Sequence, residues 1–253
     1  MGLYEKDTYL NKDIMYLSNC SIYEYDISSA GYNLSKYYNL LPQDKIDILD
    51  SLTGDKDKLV KRIGIFQRDD KVYRDALKEA FKNIRQLFFS SNELEDKDIL
   101  SIKKDAIFTL RPCSITEFDN VIFKNKHSYS SYYYFEPRIE MYFNHSNGID
   151  VKGISNSLLE KHKDYFLDFL WELFALMENS NGKALKYLMK FINYYKKKSL
   201  DVGYYRELNH DSQFAVNVKG IGTQKFDEAV GKEHLNISYN YTNYLIPLLN
   251  ILF

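Results

Sequence analysis

Asp26 and Asp105 are the residues of this sequence whose type and setting offer chemistry. Asp26 ends the run Ile22-Tyr23-Glu24-Tyr25 and is followed by Ile27-Ser28-Ser29-Ala30-Gly31. Asp105 stands in Ile102-Lys103-Lys104-Asp105-Ala106-Ile107-Phe108, between two apolar half-strands where a turn is expected. Each is a charged group at the rim of an apolar strand, and if the two strands are neighbours the carboxylates converge. Convergent carboxylates suit two Mg²⁺ ions about 3.5–4 Å apart, one lowering the pKa of an attacking hydroxyl and the other neutralising leaving phosphates. The alternative is that each Asp merely ends a strand or caps a turn.

The elements that must position these acids follow from hydrophobic periodicity. Residues 22–27 are rich in β-formers and read as a strand, with a polar turn and a helix over about 32–41 after it. Pro42 breaks that helix and starts another through Leu52; Asp55 to Phe66 reads as a third. Val72, Ala76, Leu77, Ala80, Phe81, Ile84 and Phe88 recur at helical spacing, which predicts a long amphipathic helix to about Phe89. The period then changes. Short strand-type runs at 99–102, 106–110, 120–123, 129–135, 139–143 and 149–151 are separated by turn residues such as Asn147-Gly148. From Ser155 the pattern is helical again, with a break at Gly182. Helices inserted between strands and followed by an antiparallel meander predict an α+β fold.

The order of these features resembles the palm domain of nucleic-acid polymerases. In their first catalytic motif an Asp ends a strand and a short turn leads into a helix, as in Asp26 to Gly31. Lys58-Leu59-Val60-Lys61-Arg62-Ile63-Gly64 is similar to the cationic helix placed over the incoming nucleotide's phosphates, and Ser101 to Phe108 resembles the β-hairpin with a catalytic Asp at its tip. In family B DNA polymerases that hairpin carries two acids flanking a Thr; here Lys103 takes the first acidic place and Asp105 the second. Gly148 to Ile154, with Lys152-Gly153, is similar to a Lys-Gly segment that follows the palm near the primer terminus. Family B also sets a Tyr five residues after its first Asp to exclude a ribose 2′-OH. Here that place holds Gly31, as in the single-subunit phage RNA polymerases, with Tyr32 one residue later.

The resemblance implies a palm-like domain over 1–154 with finger-like helices inserted at about 32–91, and a helical thumb-like region over 155–253. It implies template-dependent extension of a primer 3′-OH by nucleoside triphosphates with two Mg²⁺ ions, held by Asp26, Asp105 and the Ile27 carbonyl. Lys61, Arg62 and Gly31 would face the nucleotide, and Lys103, Lys104 and Lys152 the DNA or RNA primer–template. Each has an alternative: Lys61 and Arg62 as a solvated helix face, Lys103 and Lys104 as a solvated turn, and Lys152 as the end of a hairpin. The Tyr129 to Phe135 aromatics offer base stacking or cross-strand packing. A second reading is a catalytically inactive palm-like nucleic-acid-binding or interaction subunit of a phage assembly, which the lysine at 103 favours; a third is an unrelated α+β protein that matches these motifs by chance.

Composition bounds these readings. With 34 basic against 35 acidic residues the net charge is -1, so a nucleic acid must be held by a local basic face. A chain so short would leave exonuclease or clamp functions to a partner protein subunit. No apolar run approaches the ~18 residues of a membrane helix, and the charged first ten residues do not read as a signal peptide. Cys20 and Cys113 form neither a disulfide framework nor a metal site by spacing, so a reducing cytoplasm is expected. Richness in Lys, Tyr, Asn, Ile and Phe reflects A/T-rich codons, and bacteriophages of low-GC hosts are one such source.

Overall fold

The computed structural model describes residues 2–135, 139–146, 148–153, 167–197, 199–200, 215–218 and 222–225. Among these the architecture is α+β, with antiparallel sheets and six α-helices. Contacts group the chain into two units: Met1–Asp13 with Ser21–Ser128, and Ile14–Cys20 with the described residues from Tyr129 onward.

The first unit is built around a sheet in the order β1-β4-β5-β3-β7-β6. Its strands are β1 (Thr8–Leu10), β3 (Ile22–Ile27), β4 (Ile99–Lys103), β5 (Ala106–Thr109), β6 (Glu117–Phe118) and β7 (Val121–Tyr129). β2 (Tyr16–Leu17) belongs to the other unit. Four helices, α1 (Ala30–Tyr37), α2 (Gln43–Asp50), α3 (Lys56–Asp69) and α4 (Lys71–Ser91), are inserted between β3 and β4. Period-two alternation divides β3: Tyr25 and Ile27 join the helix-packed core, which sends Ile22, Glu24 and Asp26 to the opposite face. The same core takes Ile102, Ile107, Val121 and Phe123 from the sheet, and Leu34, Leu59, Ile63, Leu77, Phe81, Ile84 and Phe88 from the helices.

Local sequence fixes where the helices begin. Asp55 accepts the Lys58 N–H at 3.1 Å to cap α3, and Asp70 accepts the Tyr73 N–H at 3.0 Å to cap α4. The predicted α4 stripe lies inward from Leu77 onward, whereas Val72 at its start is 81% exposed and Tyr73 is buried in its place; Ile84 and Phe88 are fully buried, each contributing about 1.5–3 kcal/mol through burial. Truncating Phe88 to Ala should cost about 3–5 kcal/mol.

In the second unit, β8 (Ser131–Phe135), β9 (Ile139–Asn144) and β10 (Gly148–Lys152) form an antiparallel sheet with β2, in the order β10-β9-β8-β2. Met141 and Phe143 of this sheet pack against Phe169, Leu170 and Phe174 of α5 (Asp168–Asn179) and Leu188 of α6 (Asn181–Lys196). A separate hairpin pairs β11 (Ala215–Val218) with β12 (Gly222–Lys225). Tyr129, Tyr132, Tyr133 and Tyr134 are buried, so they serve packing.

The structure differs from the sequence expectations in specific places. The strands at 131–152 group with the C-terminal helices, so the division falls at 128/129, whereas 154 was expected, because their apolar faces complete the core of α5 and α6. The two expected strands at 120–123 and 129–135 are a nine-residue β7 and then β8. Residues 154–166 and most of the thumb-like region beyond 200 lie outside the described residues.

Candidate functional site

β3 and β5 are antiparallel neighbours, with Asp26 opposite Ala106 and Tyr25 opposite Ile107. β4 and β5 form a hairpin in which Lys103 pairs with Ala106, leaving Lys104 and Asp105 as the turn. Asp105 therefore sits one residue beyond the partner of Asp26. The Ile27 N–H donates to the Asp105 carbonyl at 3.0 Å, tying the turn to the strand that carries the first acid.

Both acids line one cavity of about 630 Å³. After Asp26 the chain leaves the strand through Ser28, whose N–H donates to the Ile122 carbonyl at 3.3 Å, and Ser29, which is left-handed at φ +45°. This turn brings Ala30 and Gly31, at the start of α1, into the cavity wall. α3 supplies Lys56, Leu59, Val60, Ile63, Gly64 and Gln67, one face of a helix at i, i+3, i+4, i+7, i+8 and i+11. Lys104, Lys124 and Lys126 complete the polar lining.

Ionising Asp105 is costly in this setting, and the lysines around the two carboxylates offset that cost only in part. Burial first, and then the Asp26 charge beside it, push the Asp105 carboxyl above the usual carboxylate range. The Lys126 ammonium lies 3.4 Å from Asp26 Oδ2, with the two side chains 49% and 26% exposed, so solvent screens the pair and either partner can be exchanged at modest cost. Four ammoniums stand against two carboxylates around the cavity, and that surplus suits a polyphosphate anion.

The sequence-derived site is partly assembled. Asp26, Ile27, Asp105, Gly31 and Lys104 come together at the cavity. Lys61 and Arg62 do not: at about 100° per residue they fall on the far side of α3, both are exposed, and the Arg62 guanidinium lies 6.0 Å from the Phe66 ring centroid. Lys56, on the lining face of the same helix, stands where they were expected. Lys103 is a strand residue paired with Ala106 and Thr8 and is not part of the lining. Lys152 belongs to the second unit, on the edge strand β10 opposite Glu140. Gly31 has a packing reason of its own: a Cβ there would stand 3.2 and 3.3 Å from Cγ2 and Cδ1 of Ile63, so any larger residue makes the Ile63 side chain give way where α1 and α3 meet. Tyr32 is turned to Asp50, to which its hydroxyl donates at 2.5 Å.

Lys124 and Lys126 were missed because Lys-Asn-Lys-His reads as a turn after Phe123, whereas β7 continues through them. The available signal was the alternation with Ile122, which puts 122, 124 and 126 on one face.

Among the described residues no helix is long and apolar enough to cross a membrane. A family model described as bacteriophage PBS1 gene 130 protein matches residues 1–253 of the chain. No curated protein matches it.

Proposed function

Because the chain belongs to the bacteriophage PBS1 gene 130 protein family and is therefore a phage protein, we propose that its first unit is a palm-like nucleotidyl-transfer domain acting in the host cytoplasm. The observation that carries this reading is the pair Asp26, on β3, and Asp105, in the turn that enters the neighbouring antiparallel strand β5, both lining one lysine-rich cavity. The central acid-bearing strand, the helices inserted after it and the acid at the tip of the following hairpin support the likeness to a palm.

The donor set fits divalent cations. Two carboxylates, one with its pKa raised partly by the other, gain most from a dication between them, and hard oxygen ligands suit Mg²⁺. Two Mg²⁺ ions, when bound, would supply charge neutralisation at the phosphates and a lowered pKa for the attacking hydroxyl. Asp26, Asp105 and the Ile27 carbonyl would hold them. Lys56, Lys124 and Lys126 would fix the triphosphate, while the buried Leu59 and Ile63 would wall off water on the α3 side. The primer 3′-oxygen then bonds to the α-phosphorus and the bond to the bridging oxygen breaks. Pyrophosphate carries the electron pair away, and the hydroxyl proton passes to solvent. Lys126, beside Asp26, would turn toward the phosphates once a cation takes its place at the carboxylate.

Primer extension with each of the four ribo- and deoxyribonucleoside triphosphates tests this reading. The wild type should extend a primer–template with Mg²⁺ or Mn²⁺, and Asp26→Ala and Asp105→Ala should each abolish extension while keeping the wild-type circular dichroism spectrum. Extension unaffected by either substitution contradicts it. The second reading, a palm-like subunit that binds without catalysis, is favoured by Lys103 at the first acidic place and by the Lys126 ammonium at Asp26. Nucleic-acid binding by the wild type with no divalent-dependent extension, alone or with a phage partner subunit, would support it.

A further inference from the structure

Arg85 is a fully buried side chain on α4, its guanidinium facing the hairpin that carries Asp105. Its Nη1 donates to the Lys104 carbonyl at 3.0 Å, Nε to the Tyr4 carbonyl at 2.8 Å, and Nη2 to Asp7 Oδ1 at 3.1 Å. A buried guanidinium is a costly way to fill space, since an apolar side chain of similar volume stabilises a core as well or better. Its planar fork does what an apolar chain cannot: it bonds acceptors from three segments in fixed directions.

One of those acceptors belongs to the residue before Asp105. Lys104 is left-handed at φ +59°, a conformation that a lysine keeps only where its surroundings hold it. Both of its peptide groups are held: the Lys104 N–H donates to the Asp7 carbonyl at 2.7 Å, and its carbonyl accepts from Arg85. One residue on, the Asp105 carbonyl accepts from the Ile27 N–H. The turn is thus fixed on one side by the Arg85–Asp7 pair and on the other by the strand bearing Asp26. We propose that Arg85 is the positioning residue of the site, its guanidinium locking the Lys104–Asp105 turn so that the Asp105 carboxylate faces Asp26. The inference rests on the carboxylate-pair reading and adds to it a residue that touches neither substrate nor metal.

Mn²⁺ binding followed by electron paramagnetic resonance tests it on the full chain, independently of turnover. Outer-shell partners of metal ligands typically contribute 10- to 100-fold in affinity. Arg85→Met, close in length but without donors, should weaken Mn²⁺ binding about 10-fold or more, and Arg85→Lys should recover part of that loss. Asp7→Asn keeps the guanidinium and its two carbonyl acceptors and removes only the charge at Nη2, so it is a second variant whose fold is checked by its circular dichroism spectrum independently of Arg85→Met. It should weaken Mn²⁺ binding several-fold with the melting temperature nearly unchanged, a split that a purely structural role would not give. Wild-type Mn²⁺ affinity in a folded Arg85→Met, or in Asp7→Asn, overturns the role of Arg85 alone. A wild type that binds no Mn²⁺ overturns the carboxylate pair, and the inference with it.

Discussion

The N–H of Ile27 and the carbonyl of Asp105 are joined by a 3.0 Å hydrogen bond, so the residue after one acid is tied to the main chain of the other. The two carboxylates cannot drift apart without breaking the edge of the β3–β5 ladder. Ionisation of Asp105 in this position opposes folding, because burial and the Asp26 charge outweigh the nearby Lys104 and Lys126 ammoniums.

Asp105→Asn should therefore stabilise the metal-free protein. A carboxyl whose pKa is raised by folding binds its proton more tightly folded than unfolded, so its ionisation costs stability. That cost is absent below the unfolded value of about 3.9 and grows as the pH climbs through the folded value. Thermal melts should show the variant above the wild type at pH 7–8, with the gap closing toward pH 3–4. Mg²⁺ should raise the wild-type melting temperature and leave that of the variant unmoved. Parallel pH profiles for the two proteins would contradict the charge conflict.

Lys124 and Lys126, rather than Lys61 and Arg62, should carry triphosphate affinity. A charge-assisted hydrogen bond contributes about 1.5–3 kcal/mol, so Lys124→Ala or Lys126→Ala should each weaken binding about tenfold or more. Lys61→Ala and Arg62→Ala, on the far face of α3, should stay within about twofold of wild type. Calorimetric titration with a non-hydrolysable triphosphate and Mg²⁺ separates the two pairs.

Gly64 should show a trade of affinity for stability. It lies inside α3, lines the cavity, and a Cβ added there would meet nothing within 4 Å. Gly64→Ala should raise stability by about 0.5–1 kcal/mol in urea unfolding, since glycine is a poor helix former. The methyl group projects into the cavity, so triphosphate binding should weaken at the same time.

Gly31 should prove to be a packing residue first. Gly31→Ala forces its methyl against Ile63 and should cost about 1–3 kcal/mol. In an Ile63→Ala background the same change should cost little or nothing, because both close contacts are gone. Equal costs in the two backgrounds would show that the helix approach does not require the glycine. Sugar selectivity at this position is best read with Gly31→Ala, since a tyrosine would meet Ile63 before any nucleotide.

The acid-bearing strand and its hairpin were legible because their signals are local: β-formers ending in Asp26, and a charged pair between the apolar runs of β4 and β5. α4 was legible from its stripe. β1 and β2 were not, since strands of three and two residues carry no period and depend on pairing with Lys103 and Tyr133 partners far along the chain. For α3 the apolar phase of Leu59 and Ile63 already turned Lys61 and Arg62 away, and attention to charge alone concealed it. Arg85 left a readable trace, a lone cation inside the stripe Phe81, Ile84 and Phe88, but its acceptors Tyr4, Asp7 and Lys104 are set by tertiary structure.

The most direct measurement is anomalous diffraction from crystals soaked in Mn²⁺. The expected result is density within coordinating distance of both Asp26 and Asp105 carboxylates, lost in Asp105→Asn. Density elsewhere, or none at this pair in well-soaked crystals, would contradict a shared divalent site.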